Sequence, residues 1–248
     1  MSTSAEKAAG EPPALRRDAR RNRELLIAAA HEIYAEQVVD AQLDEIARRA
    51  GVGNATLYRR FPTRESLIEA VFHDTLTETR EAGVQAREVE DAWEALRGYW
   101  ERIFSLVAAD RGAADLITTG VEGVPSLDAL REHNHETVLT LVARAQEQGT
   151  MRPDVTAEDI LFQLAALGRS VPAFAAVAPG SWRRHLALLL DALRPEGAHP
   201  LPAPPLSLGQ LGGVMADMNP GRTPPTTTAP QQRGERAQTA SSRSIASR

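Results

Sequence analysis

Along the first third of the chain, apolar residues recur three and four positions apart, the spacing that gathers them on one face of a helix. Leu25, Leu26, Ala29, Ala30, Ile33 and Tyr34 make one such stripe, and Leu43, Ile46, Ala47 and Ala50 make a shorter one. Gly51 ends the second helix as a left-handed cap residue would. A third short helix is predicted from Asn54 to Arg60, with Asn54 as its N-cap and Leu57 and Phe61 turned inward, and Pro62 stops it. Thr63 caps a fourth helix carrying Leu67, Ile68, Val71, Phe72 and Leu76, with Glu65 well placed in its first turn.

Helical patterning continues over Asp91 to about Ala109, Ala113 to Thr119, Ser126 to Gln148, Thr156 to about Val171, and Ser181 to Arg194. Pro172 is expected to kink or end the eighth helix. No run of alternating β-branched residues suggests a sheet. The chain therefore reads as all-α with about nine helices: an N-terminal arm over 1–19, a helix-turn-helix unit over 20–65, a larger helical unit over 66–195, and a tail over 196–248. The arm and the tail are expected to be disordered: Met1 to Pro13 is small and polar, and nine of the sixteen prolines lie from Pro195 onward.

Composition narrows the chemistry. A hydrophobic content of 42% over 248 residues supports a sizeable core. The absence of cysteine removes disulfides, thiolate metal sites and cysteine nucleophiles. No apolar run approaches the roughly 18 residues of a membrane span, and the N-terminus lacks an apolar leader, so a soluble cytoplasmic protein with no membrane partner is expected. The net charge of −5 is unevenly spread, because Leu15 to Arg64 carries ten Arg against seven acidic residues. Lys7 is the only lysine, so almost every cation is a planar guanidinium able to grip phosphate or guanine with two donors.

Two short helices joined by Gly51-Val52-Gly53 form a helix-turn-helix pattern, which exposes the N-terminal end of the second helix for a major groove. The stretch from Leu43 to Glu65, with Leu57-Tyr58 and Phe61-Pro62 followed by Glu65, closely resembles the DNA-binding domain of the TetR family of bacterial regulators. The resemblance covers about Arg20 to Phe72. Weaker support comes from Gly149 to Thr156 and from Trp182-Arg183-Arg184 leading to Leu193-Arg194-Pro195, which look like the corresponding segments of actinobacterial-type members.

The resemblance implies a homodimeric regulator that binds a palindromic double-stranded DNA operator and is released by a small-molecule effector, most simply a repressor. Chemistry divides the contact residues in the same way. Tyr58, Thr56, Arg60 and Arg64 offer donors to phosphate, with Gln42 a further candidate through its amide. Val52, Gly53, Asn54 and Ala55 stand at the tip where base edges are read, Asn54 being the best candidate for an adenine. Asn54 as a mere helix cap remains the open alternative. Arg16, Arg17, Arg20, Arg21 and Arg23 add phosphate or minor-groove contacts, or are only a solvated helix start. Two positions depart from the family pattern: Val38 stands where glycine usually closes the first helix, and Gln42 where Ser, Thr or Pro is common, so Asp40 is expected to cap the second helix.

For the second half, Trp93, Tyr99, Trp100, Ile103 and Phe104, completed by Leu116, Leu141 and Phe162, are candidate walls of an effector pocket, with ordinary core as the competing reading. Ile160, Leu164 and Leu167 on one helix and Leu186, Leu189 and Leu190 on another form stripes that the resemblance assigns to a four-helix dimer interface. Gly51-Val52-Gly53 follows no strand, as a dinucleotide fingerprint requires. His31-Glu32 lacks a second zinc-spaced histidine, and His133 and His135 diverge on a helix. No catalytic residue, metal ligand or cofactor is therefore expected, and the protein is expected not to be an enzyme. A helical enzyme or ligand carrier with a structural helix-turn-helix, or an activator without ligand, are the alternatives.

Overall fold

The computed structural model describes residues 13–37, 41–119 and 123–218, and those residues form helices without strands. Four helices make the N-terminal end: α1 (Pro13–Gln37), α2 (Leu43–Ala50), α3 (Asn54–Arg60) and α4 (Arg64–Glu88). Helix α1 begins at Pro13, so residues 13–19 are helical where a disordered arm was expected. Proline fits the first turn, because its missing N–H would have no partner there. Residues 1–12 of the expected arm, and Val38 and Asp40, lie outside the described residues, but the N-cap of α2 is Gln42, not the expected Asp40.

Leu26, Ile33 and Tyr34 of α1, Ile46 of α2, Leu57 of α3 and Leu67, Ile68 and Phe72 of α4 meet in one buried cluster. Gly51 has φ +65° and ψ 28°, and its N–H and that of Val52 reach back to the Arg48 and Ala47 carbonyls at 3.2 and 3.0 Å. This left-handed cap turns the chain sharply between α2 and α3 at a place where a side chain would be strained. Thr63 and Ser66 cap α4 reciprocally, each side chain meeting the other's backbone N–H. The third helix differs from expectation at its start: Gly53 is the N-cap and Asn54 is already the first helical residue.

The larger end is built from α5 (Ala92–Ala109), α6 (Arg111–Thr119), α7 (Pro125–Glu147), α8 (Ala157–Val177) and α9 (Trp182–Ala192). Trp93, Leu96, Trp100 and Phe104 of α5 lie buried against Val138 and Leu141 of α7, Ile160 and Val171 of α8, and Trp182 and Leu186 of α9. The corner between α4 and α5 is closed by Arg144, whose guanidinium donates to the carbonyls of Arg87, Val89 and Glu90 at 2.9, 2.6 and 2.9 Å. Helix α8 runs through Pro172 to Val177 rather than ending there. One proline removes a single ladder hydrogen bond, a loss that a helix packed against five neighbours tolerates. By length and composition α8 is apolar enough to span a membrane, though Glu158, Asp159 and its Thr156 capping box begin it as a helix of the bundle.

The tail expectation fails over 196–218. Residues 208–217 form a tenth helix, α10 (Leu208–Asp217), with Ser207 and Gln210 as a reciprocal capping box and Leu211 buried. Leu211 and Met215 have an apolar groove beside α8 to cover, which outweighs the turn-rich composition around them. Residues 219–248 lie outside the described residues.

Candidate nucleic-acid interface and ligand cavity

The tip of α3 stands clear of the core. Gly53, Asn54, Ala55, Tyr58, Arg59 and Arg60 are exposed, whereas Leu57 between them is fully buried and anchors the helix. The Gly53 carbonyl accepts from the Thr56 and Leu57 N–H groups at 2.8 and 3.1 Å. Capping therefore does not consume the Asn54 amide, which makes no side-chain hydrogen bond among the described residues. Val52 is half-buried and packs on the core beneath the tip, so of the expected reading residues it is the one least available to a base.

The phosphate candidates divide. Tyr58 is 48% exposed and its hydroxyl donates to Asp44 Oδ1 across a long 3.4 Å. Arg60 and Gln42 are exposed and Thr56 half-exposed. Arg64 instead lies half-buried beside the Tyr34 phenol, whose pKa burial pushes up to about 12 while the Arg64 charge opposes that rise. In the arm, Arg20 is exposed and pairs with Glu24 at 2.9 Å, Arg17 and Arg21 are exposed, and the Arg23 guanidinium lies 5.7 Å from the Phe61 ring centroid. The side chain of Arg16 lies outside the described residues. Sequence reasoning passed over Arg59, an exposed cation one turn beyond Ala55 on the same face. The i, i+4 rule applied to Ala55 would have found it.

The larger end holds a cavity of about 480 Å³, within the range of small-molecule sites. Ile103, Phe104 and Val107 of α5, Ile117 of α6, and Leu161, Leu164, Ala165 and Gly168 of α8 supply its apolar walls. Asp128, Arg131, Asn134 and His135 of α7 gather at a polar side, and Leu208, Leu211, Gly212, Met215 and Ala216 of α10 close it. Of the eight expected pocket residues, only Ile103 and Phe104 line this space. Trp93, Tyr99, Trp100 and Leu141 are buried in the core of the larger end, Leu116 belongs to the buried cluster of the N-terminal end, and Phe162 is a half-buried residue of α8 beyond the lining. The polar lining was missed because four α7 positions of mixed charge look like a solvated face until α10 is laid across the groove.

Two features fix the polar side. The Tyr99 hydroxyl donates to Asn134 Oδ1 at 2.8 Å, and burial raises the Tyr99 pKa, so it stays a donor. Arg131 pairs with Asp128, and His135 Nε2 is buried 3.5 Å from Glu158 Oε1.

The expected dimer stripes are partly internal. Ile160, Leu186 and Leu190 are buried within the protomer, and Leu164 lines the cavity, so these four are spent on the bundle itself. Leu167 and Leu189 are half-buried. The large apolar residues left exposed on α8 and α9 are Val177, 86% exposed, and Leu188, 55% exposed.

A family model described as bacterial regulatory proteins of the tetR family matches residues 26–71, and one described as the C-terminal domain of SbtR-like transcriptional regulators matches residues 91–195. A TetR transcriptional regulator from Streptomyces coelicolor is 32% identical, covering 70% of this chain and 98% of its own, with a TM-score of 0.46. The chain belongs to the TetR family. The HTH-type transcriptional regulator UidR of Escherichia coli is 27% identical over 146 residues, covering 56% of this chain and 73% of its own. A transcriptional regulator FadR of Bacillus subtilis, solved in complex with stearoyl-CoA, shares the fold at 19% identity, with a TM-score of 0.54 and coverage of 71% of this chain and 99% of its own. The first TetR match contains the exposed tip of α3, and the second contains α5 to α8 around the cavity but stops short of α10.

Proposed function

We propose that this TetR-family regulator is a ligand-responsive repressor that binds a palindromic operator as a homodimer. The observation that carries the reading is the α3 tip: Asn54, Ala55, Tyr58, Arg59 and Arg60 stand exposed around a buried Leu57, on a turn locked by Gly51. Asn54 and Ala55 read base edges, and Tyr58, Thr56, Arg59, Arg60 and Gln42 hold phosphates. Arg20 and Arg21 extend the phosphate contacts from α1, while Arg64 braces Tyr34 from within.

The cavity between α5 and α8 is the effector site. FadR carries an acyl-CoA on the same scaffold, which supports a mainly apolar effector here. Dimerisation buries the outward face of α8 and α9, with Ala173 and Val177 one turn apart on α8 and Leu188 on α9, all exposed in the protomer. Two copies then set two recognition helices about 34 to 36 Å apart for successive major grooves.

Selection of duplexes from a random pool by the purified full chain, followed by sequencing, tests the reading. An inverted repeat with half-site centres about 10 base pairs apart, or a multiple of that, is expected. A pool without enrichment, or one with a lone half-site, overturns it.

A further inference from the structure

Helix α10 lies outside both matched family regions, yet it forms one side of the cavity. We propose that α10 is a removable wall: a mainly apolar ligand, with a head group that accepts hydrogen bonds, enters by undocking it. This rests on the reading of the cavity as the effector site.

Three observations point to a helix that is held but easily released. Its sequence, LGQLGGVMAD, contains Gly209, Gly212 and Gly213, and glycine is among the poorest residues for a helix interior. None of the three is required by packing, since a Cβ built at any of them meets nothing within 4 Å. Only Leu211 is buried, so docking rests on few contacts.

The tether completes the device. The Arg152 guanidinium donates to the His199 carbonyl at 2.5 Å and grips Asp154 through two bonds of 2.6 and 2.9 Å, while the Leu201 N–H donates to the Asp154 carboxylate. The strap after α9 is thus pinned at its middle, and a short run with Pro202, Pro204 and Pro205 joins that clip to Ser207. A stiff, short tether keeps α10 next to the cavity when it leaves, so reclosure is favoured.

Ligand class follows from the walls. Ile103, Phe104, Leu161 and Leu164 face an apolar body. With Tyr99 donating to its oxygen, Asn134 presents its amide donor, whereas His135 Nε2 is turned to Glu158 Oε1 at 3.5 Å. The Asn134 donor suits an acceptor on the ligand.

The test uses 1-anilinonaphthalene-8-sulfonate, an apolar ring system with an acceptor head, followed by stopped-flow fluorescence on the full chain. Gly209→Ala with Gly213→Ala, both exposed and off the cavity lining, should slow association about 20-fold, the combined helix-propensity gain that the unwinding of α10 on release must overcome, read as a rate. Leu211→Asp, which cannot dock, should speed association at least tenfold and also speed release. Ala165→Trp, which fills the cavity, should abolish the signal.

Association at the original rate in both the double-alanine and the Leu211→Asp chains overturns the wall, and a signal that survives Ala165→Trp overturns the cavity as the binding place. If the dye follows all three expectations while leaving operator affinity untouched, the wall stands and the effector reading alone falls.

Discussion

Asn54→Ala separates reading a base from capping a helix. Because Gly53 is the N-cap and Asn54 the exposed first residue of α3, the substitution removes no cap and opens no cavity. Unfolding free energy should stay within about 0.5 kcal/mol of the original chain. Operator binding should weaken by about 1 to 3 kcal/mol, roughly 5- to 150-fold at 25 °C, because a well-placed side-chain amide on a base edge is worth that much discrimination. Binding to scrambled duplex should barely change, since phosphate contacts are untouched. The assay is fluorescence-anisotropy titration of operator and scrambled DNA at several salt concentrations, beside urea unfolding. Arg60→Ala provides the contrast: it should weaken both duplexes alike and reduce the slope of log affinity against log salt by about 0.9. Equal weakening of both duplexes by Asn54→Ala, with a lowered unfolding midpoint, would refute the assignment and leave base reading to Gly53 or Ala55.

Gly51→Ala should cost about 1 to 2 kcal/mol by calorimetry, purely from the left-handed backbone, since its Cβ would meet nothing; Gly51→Val should cost more, and a neutral Gly51→Ala would show that the turn relaxes. Val177→Glu with Leu188→Glu should yield monomers by light scattering at unchanged protomer helicity, whereas a persisting dimer mass would move the interface elsewhere. His133 is held below its ordinary pKa, first by burial and then by the Arg87 charge, while its bond to the Arg80 carbonyl at 3.0 Å opposes the shift. The unfolded chain therefore takes up a proton near pH 6.5 that the folded chain resists, so stability falls as pH drops from 7 toward 5. In His133→Gln that limb of the melting-temperature profile should flatten, and an unchanged slope would exclude His133 as its source.

The N-terminal end was legible because each signal there is local. A glycine with positive φ, a proline stop and a Thr63 cap act within a few residues, and the structure places them where the sequence pointed. The pocket was not legible for the opposite reason. Trp93, Trp100 and Leu141 look like cavity walls by type, but large aromatics fill space, and close packing in the middle of the bundle leaves them no void. The space lies instead beside small Ala165 and Gly168 of α8, where a groove remains between helices. Periodicity alone likewise did not separate Leu186 and Leu190 from Leu188, because a short helix between two surfaces can present apolar residues to both.

Helix α6 explains how one cavity can bear on the other end of the molecule. Leu116 sits in the buried cluster shared with α1 and α4, and its neighbour Ile117 lines the cavity. At the start of the same helix, Gly112 lies so close to α1 and α4 that a Cβ there would come within 3.0 Å of the Phe72 ring and 3.3 Å of Tyr34 Cβ. Asp110, just before it, pairs with His31 of α1 at 2.8 Å. The nine residues of α6 thus touch the cavity on one side and the buried cluster of α1 and α4 on the other, a close-packed link. A ligand that prefers one setting of α6 must therefore prefer one setting of α1 and α4. The change in operator affinity it can impose is bounded by its own difference in affinity for the two settings, typically about 1 to 3 kcal/mol.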